Sequence, residues 1–161
     1  MIRMIVQGLT IDPASNSPIL ILKEPEGDQS LPIWIGLLEA TAIASELEGV
    51  GFSRPMTHDL MRNLLEAVGY SVARVEVTEL KDNTFYALIH LVGPAGTLRV
   101  DSRPSDAIAL ALRTKAPIFV APKVLEQAGA SAVRREGDQA EDKWREMLES
   151  MDPEDFGKYK M

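Results

Sequence analysis

Along the first third of the chain, apolar residues come in short runs parted by turn formers. Met4 to Ile11 is rich in strand-forming residues, and Ile19-Leu20-Ile21-Leu22 is a compact apolar run. Asp12-Pro13-Ala14-Ser15-Asn16-Ser17-Pro18 separates them, and a polar loop from Pro25 to Ser30 leads into Leu31-Pro32-Ile33-Trp34-Ile35-Gly36. Three strands joined this way predict an antiparallel meander. The period then turns helical. Leu37, Ala40, Ala44 and Leu47, with Ile43 beside them, share one stripe, while Glu39 and Glu46 fall on the flank away from it, as on a solvated face. Gly49 and Gly51 end this helix. After Arg54-Pro55-Met56, Thr57 is a natural N-cap for a helix to Val68 whose core stripe is Leu60, Met61, Leu64, Leu65 and Val68. On that helix Asp59 points away from the stripe and His58 lies at its border.

Val72 to Leu80 alternates, with Val75 and Val77 on one face and Arg74, Glu76 and Thr78 on the other. Lys81-Asp82-Asn83 turns the chain back into Thr84 to Val92, a hairpin in which His90 reads as an ordinary strand position. Gly93-Pro94-Ala95-Gly96 makes the next turn, and Leu98-Arg99-Val100 leads to a helix from Pro104 that is apolar on nearly every side and therefore buried. A short strand Ile118-Phe119-Val120 and a helix near Pro122 to Gln127 follow. The expectation for residues 1–128 is one α/β (α+β) domain, a mixed, largely antiparallel sheet with helices packed on it. Composition shifts at Gly129. Ala130 to Gln139 reads as a linker, and Trp144, Met147, Leu148 and Met151 recur at i, i+3, i+4 and i+7. Residues 129–161 are thus expected to form a linker and an amphipathic helix that docks on the body or across a homodimer.

Composition narrows the function. With 161 residues, 45% apolar and 25% charged, the chain suits a soluble globular domain. Having no cysteine, it excludes disulfides, thiolate zinc and thiol catalysis. A net charge of −7 argues against a broad basic platform, so nucleic acid would have to be met by a local patch or a metal. The short run Met4-Ile5-Val6 is no signal peptide, and no segment approaches membrane-spanning length; a cytoplasmic protein without membrane contact is expected.

Candidate chemistry gathers at two helix starts. Asp101-Ser102-Arg103-Pro104-Ser105-Asp106 puts two carboxylates, an arginine and two hydroxyls where a strand becomes a buried helix. The free N–H groups there suit an anion, a phosphate or a carboxylate-bound metal. Pro104 at the first helical position, Asp106 as a capping carboxylate and an Arg103–Asp106 pair would explain part of this structurally. The crowding of Asp101, Arg103 and Ser105 is left over. The second start repeats an arginine–proline pair, Arg54-Pro55, followed by His58 and Asp59. We expect the turns Arg54–Asp59 and Arg103–Asp106 to lie side by side with Glu39 nearby. His58, Asp59, Asp106 and Glu39 are then catalytic candidates, and Arg54, Arg103 and Ser105 substrate-binding ones. Asp59, Asp101 and Asp106 are metal-ligand candidates, a set suited to Mg²⁺ or Mn²⁺ rather than structural zinc. No P-loop, dinucleotide fingerprint, nucleophile elbow or zinc-binding histidine pair is present.

Three blocks carry a family resemblance. They are Leu31-Pro32-Ile33-Trp34-Ile35-Gly36 with Glu39-Ala40, Arg54-Pro55-Met56-Thr57-His58-Asp59-Leu60, and Asp101-Ser102-Arg103-Pro104-Ser105-Asp106-Ala107-Ile108-Ala109-Leu110-Ala111. In unbroken order over about residues 1–128, they resemble the signature blocks of the bifunctional nuclease domain family, and the Pro153-Glu154-Asp155-Phe156 ending resembles bacterial members. The resemblance implies a compact α/β domain of unusual topology and an activity on both DNA and RNA. Two readings stand. One is a metal-assisted phosphodiesterase, in which Asp59, Asp101, Asp106 and Glu39 hold the ion, His58 is base or ligand, and Arg54 and Arg103 neutralise the phosphate. The other is a non-catalytic module whose arginines and helix starts hold an anionic molecule or partner.

Overall fold

The structure, a computed structural model, describes residues 1–132, with side chains to residue 129. Short apolar runs and turn chemistry place the first strands. β1 (Ile2–Ile11), β2 (Pro18–Lys23) and β3 (Ser30–Trp34) form the expected meander, with Leu20 paired to Leu9 on one side and Ile33 on the other. Two helices follow, α1 (Leu37–Leu47) and α2 (Thr57–Ala67). Next come β4 (Ser71–Lys81), β5 (Thr84–Gly93) and β6 (Gly96–Ser102), then α3 (Pro104–Thr114), β7 (Ile118–Val120) and α4 (Pro122–Ala132). Asp82 and Asn83 turn the β4–β5 hairpin with φ of 52° and 61°, the left-handed pair that a tight two-residue hairpin requires.

The strands form one sheet in the order β3-β2-β1-β7-β4-β5-β6. β7 slots between the meander and the β4–β6 unit, antiparallel to β1 and parallel to β4. That single parallel pair requires a crossover, and α3 is its helix. Ala107, Ile108, Ala109, Leu110 and Ala111 are all at most 1% exposed, so nearly every side of α3 is covered. Ile108 and Leu110 contribute roughly 1.5–3 kcal/mol each through this burial. A single core joins Met4, Leu20 and Leu22 of the meander to Val75, Ile89 and Ile108 of the second half. The α/β class with a mixed sheet holds.

Local expectations fare unevenly. α2 begins at Thr57 with Met56 in the cap position, so Thr57 is not the cap. Instead the Asp59 carboxylate, in the third helical position, accepts the Met56 backbone N–H at 3.0 Å. The face of α2 is also rotated from expectation. His58 is buried and Met61 and Leu65 reach the core, while Leu60, Leu64 and Val68 stand exposed. On α1, Ala40 and Ile43 are buried, but Leu37 and Leu47 are exposed. α4 runs through Gly129 to Ala132, so the linker expected from Ala130 starts inside a helix. The expected Trp144–Met151 helix lies outside the described residues. No helix among the described residues is long and apolar enough to cross a membrane.

Candidate functional site

Because α3 is locked in the core, its first turn is fixed, and α1 and α2 both pack against it. Arg103 occupies the N-cap of α3 in extended conformation, and Pro104 fills the first helical position as expected. From this corner a row of polar side chains runs outward. His58 Nε2 of α2 lies 2.9 Å from Asp106 Oδ1. An ionised Asp106 has no proton to give, so Nε2–H donates. Asp106 Oδ2 accepts from Arg103 Nε at 2.9 Å, and a terminal guanidinium nitrogen forms an ion pair with the same oxygen at 2.9 Å. The other terminal nitrogen of Arg103 donates to Glu39 Oε1 of α1 at 2.8 Å. The row His58–Asp106–Arg103–Glu39 thereby ties three helices, and Arg103 is its most exposed member, with the Glu39 side chain back at 19%. The His58 side chain is 9% exposed, Asp106 27% and Arg103 64%.

Electrostatics follow from this wiring. Burial pushes the Asp106 carboxyl up, but hydrogen bonds from His58 and Arg103, with the charge of Arg103, outweigh it and hold the group below its ordinary value. Arg103 is held above its ordinary value by its bonds to Asp106 and Glu39. A guanidinium has five N–H donors. Three are engaged, and two remain for a ligand. The Glu39 carboxylate also presses on Gly36, where an added Cβ would collide with it. Glu39 is therefore not the solvated flank residue that its helical phase suggested.

Beside the row opens a groove of about 240 Å³. The end of β3, the β4–β5 turn and the start of α3 line it, with Trp34, Phe85, Asn83, Arg103 and Ser105 among its walls. The Trp34 indole N–H donates to Asp12 Oδ2 at 2.8 Å, which steadies the ring while 38% of the residue stays exposed.

The structure thus brings Glu39, His58, Arg103 and Asp106 into one bonded row, with Ser105 next to it on the groove wall. Other candidates stand apart. Arg54 is exposed in the loop before α2, with no hydrogen bond or ion pair among the described residues. Asp101 is exposed on β6, in register with Leu88. Both Asp59 oxygens are already engaged, Oδ2 with the Met56 N–H and Oδ1 with Arg113 Nε at 2.9 Å. Burial raises the Asp59 pKa, yet those bonds and the charge of Arg113 bring it below the ordinary value. Asp59 faces Arg113 rather than pointing away from the packed face. Asp59, Asp101 and Asp106 consequently do not form one ligand set. Among the described residues, no group of three or more His, Asp or Glu side chains is arranged to hold a metal ion.

Two features escaped the sequence reading. Arg113, with a side chain 3% exposed, bonds Asp59 of α2, the Ala42 carbonyl of α1 at 2.9 Å and the Ala109 carbonyl at 2.8 Å. It is the buried counterpart of Arg103. A lone arginine near the end of an otherwise apolar helix was the available signal. On the far face of the sheet, Glu76 is 9% exposed and receives Arg74 Nε at 2.6 Å, with His90 Nε2 3.1 Å away. Burial raises the Glu76 carboxyl, and Arg74 and His90 more than reverse it. His90 therefore lies against a buried carboxylate rather than at an inert strand position. Hairpin register could have shown this, because it puts His90 opposite Arg74.

The chain was compared with known proteins. The chain is 43% identical over 162 residues to Uncharacterized protein Rv1829 of Mycobacterium tuberculosis, covering 94% of this chain and 95% of that one. It is 30% identical over 118 residues to Bifunctional nuclease 1 of Arabidopsis thaliana, covering 71% of this chain and 36% of the plant protein. Against Bifunctional nuclease 1 of Oryza sativa subsp. japonica it is 28% identical over 126 residues, 76% of this chain and 38% of the rice protein. The family model described as Bifunctional nuclease domain matches residues 20–133, which takes in the whole bonded row, and the chain belongs to that family.

Proposed function

We propose that this chain hydrolyses phosphodiester bonds in single-stranded DNA or RNA at the corner where α3 begins. The observation that carries the reading is the row His58–Asp106–Arg103–Glu39, which holds an exposed guanidinium with two spare donors beside an aromatic-walled groove. In this reading Arg103 is the phosphate ligand, pre-oriented by the two carboxylates so that little ordering entropy is lost on binding. Ser105 and the α3 N-terminus add donors. Trp34 and Phe85 offer faces for a base, which a duplex would keep stacked. His58 serves as the base through Nδ1, since Nε2–H is given to Asp106, whose charge stabilises the imidazolium that forms. Water loses a proton to Nδ1 while its oxygen bonds to phosphorus. The phosphorus–oxygen bond to the leaving group breaks, and that oxygen then takes the proton. No step is assigned to a metal. A cytoplasmic setting belongs to the same proposal.

Two observations favour a second reading. His58 is 7% exposed and Arg103 is already paired by two carboxylates, as a module that binds an anionic partner without turnover would require. The experiment is cleavage of matched single- and double-stranded DNA and RNA oligonucleotides by rigorously purified protein, in chelator and with added Mg²⁺ or Mn²⁺. The proposal predicts turnover of single strands that persists in chelator. A chelator-sensitive rate would return a divalent ion to the mechanism, and binding without cleavage would establish the module.

A further inference from the structure

β6 ends the sheet, and among the described residues no strand pairs with its outer edge. Its residues are exposed from Gly96 to Asp101, including Leu98 and Val100 at 43% each. An uncovered strand of this length, with no proline inside it, is a template for pairing. The β5–β6 hairpin closes at Gly93 and Gly96, so antiparallel alternation turns the N–H and C=O of Thr97, Arg99 and Asp101 toward the open edge. Leu98 and Val100 are in register with Leu91 and Ile89, which puts them on the core face of the sheet, beyond the helices that cover it.

α2 runs on that same face and flanks the same edge. Its first turn meets α3 through His58 and Asp106, just past the end of β6. Its far end reaches the β5–β6 turn, where a Cβ on Gly69 would touch Pro94 and the Ala95 N–H donates to the Tyr70 hydroxyl at 3.4 Å. Along the helix, Leu60, Leu64 and Val68 recur every four residues and are 51%, 57% and 62% exposed. Five large apolar side chains are thus exposed on the edge strand and on the helix that runs between its two ends, more than scattered surface leucines would supply.

We infer that this edge is a twofold interface between two copies of the chain, built by antiparallel pairing of β6 with β6 about Val100. The sequence of the edge selects both the partner and the register. With Val100 opposite Val100, Arg99 of each copy faces Asp101 of the other, on the same side of the joined sheet. The outward backbone groups of Arg99 and Asp101 also exchange hydrogen bonds in this register. Moving the axis to Arg99 keeps the backbone pairing possible but sets arginine against arginine, which is destabilising. Arg99-Val100-Asp101 is thus self-complementary in one register only. The pairing would join two seven-stranded sheets into one, and bring the two α2 stripes of Leu60, Leu64 and Val68 alongside each other across the axis.

The test is the solution mass of the full chain by light scattering, with thermal melts to confirm that each variant is folded. Wild-type protein is expected at twice the 17.7 kDa of one chain. Arg99→Asp and Asp101→Arg each place like charges opposite each other and should weaken the dimer about tenfold or more. The double variant R99D/D101R restores opposite charges and should recover the dimer. Leu64→Glu should dissociate it independently. A monomeric wild type overturns the inference. So does a dimer that ignores both single charge changes, or one that the double variant fails to recover.

Discussion

Asp106 shows how much rests on one side chain, since it accepts His58 with one oxygen and Arg103 with the other. The sequence indicated that Arg103 and Asp106 could pair, because three-residue spacing puts them on one helix face. It could not indicate the bond to His58, which spans 48 positions and depends on how α2 packs. Gly36→Ala should test the Glu39 end of the row. The added methyl would push the Glu39 carboxylate off Arg103, so binding of a phosphate-bearing oligonucleotide, read by fluorescence anisotropy, should weaken several-fold at unchanged melting temperature. Lys115 offers a contrasting change with no link to the site. It caps α3 in the left-handed region at φ 57°, which costs an ordinary side chain free energy that glycine avoids. Lys115→Gly should stabilise the protein by about 1 kcal/mol, visible as a higher urea midpoint.

Strands and helices were legible for a simple reason. Period-two and period-3.6 patterns were clear, and turn residues such as Asp82-Asn83 punctuated them. Helix faces were less legible. α2 carries two overlapping apolar stripes, Leu60-Leu64-Val68 and Met61-Leu65, and only packing decides which one enters the core. Met61 and Leu65 pack on the core beside buried His58, while Asp59, at the start of the helix, meets Arg113. That arginine binds α1, α2 and its own helix α3 from a nearly dry position. Replacing it by methionine would leave the Asp59 carboxylate and two carbonyls without their donor. Arg113→Met should cost about 3 kcal/mol or more in chemical denaturation, and Asp59→Asn, which keeps an acceptor, should cost less. Equal losses in the two variants would show that the charge, not the network, holds the helices.

The sheet joins the first meander to the β4–β6 unit, as the expected single mixed sheet requires, and β7 is the strand between them. Three residues long, it announces little beyond Ile118-Phe119-Val120, and nothing local reveals that it lies between β1 and β4. The same assembly sets the acid response of the protein. Asp59, Glu76 and Asp106 are each held below their ordinary values in the folded state. Their contribution is fully present above the ordinary carboxylate range and is lost as pH falls through the lower folded values. Unfolding midpoints should therefore be flat from neutral pH to about 5 and fall below about 4, and Asp106→Asn should shrink that fall. The most direct test of the central claim compares cleavage of one single-stranded oligonucleotide by wild type, Asp106→Asn and Arg103→Ala, each purified identically and confirmed folded. The account predicts turnover by wild type, a loss of about 100-fold or more in kcat for Asp106→Asn, and a raised KM with lowered kcat for Arg103→Ala. Equal rates in all three proteins, or none in any, would contradict it.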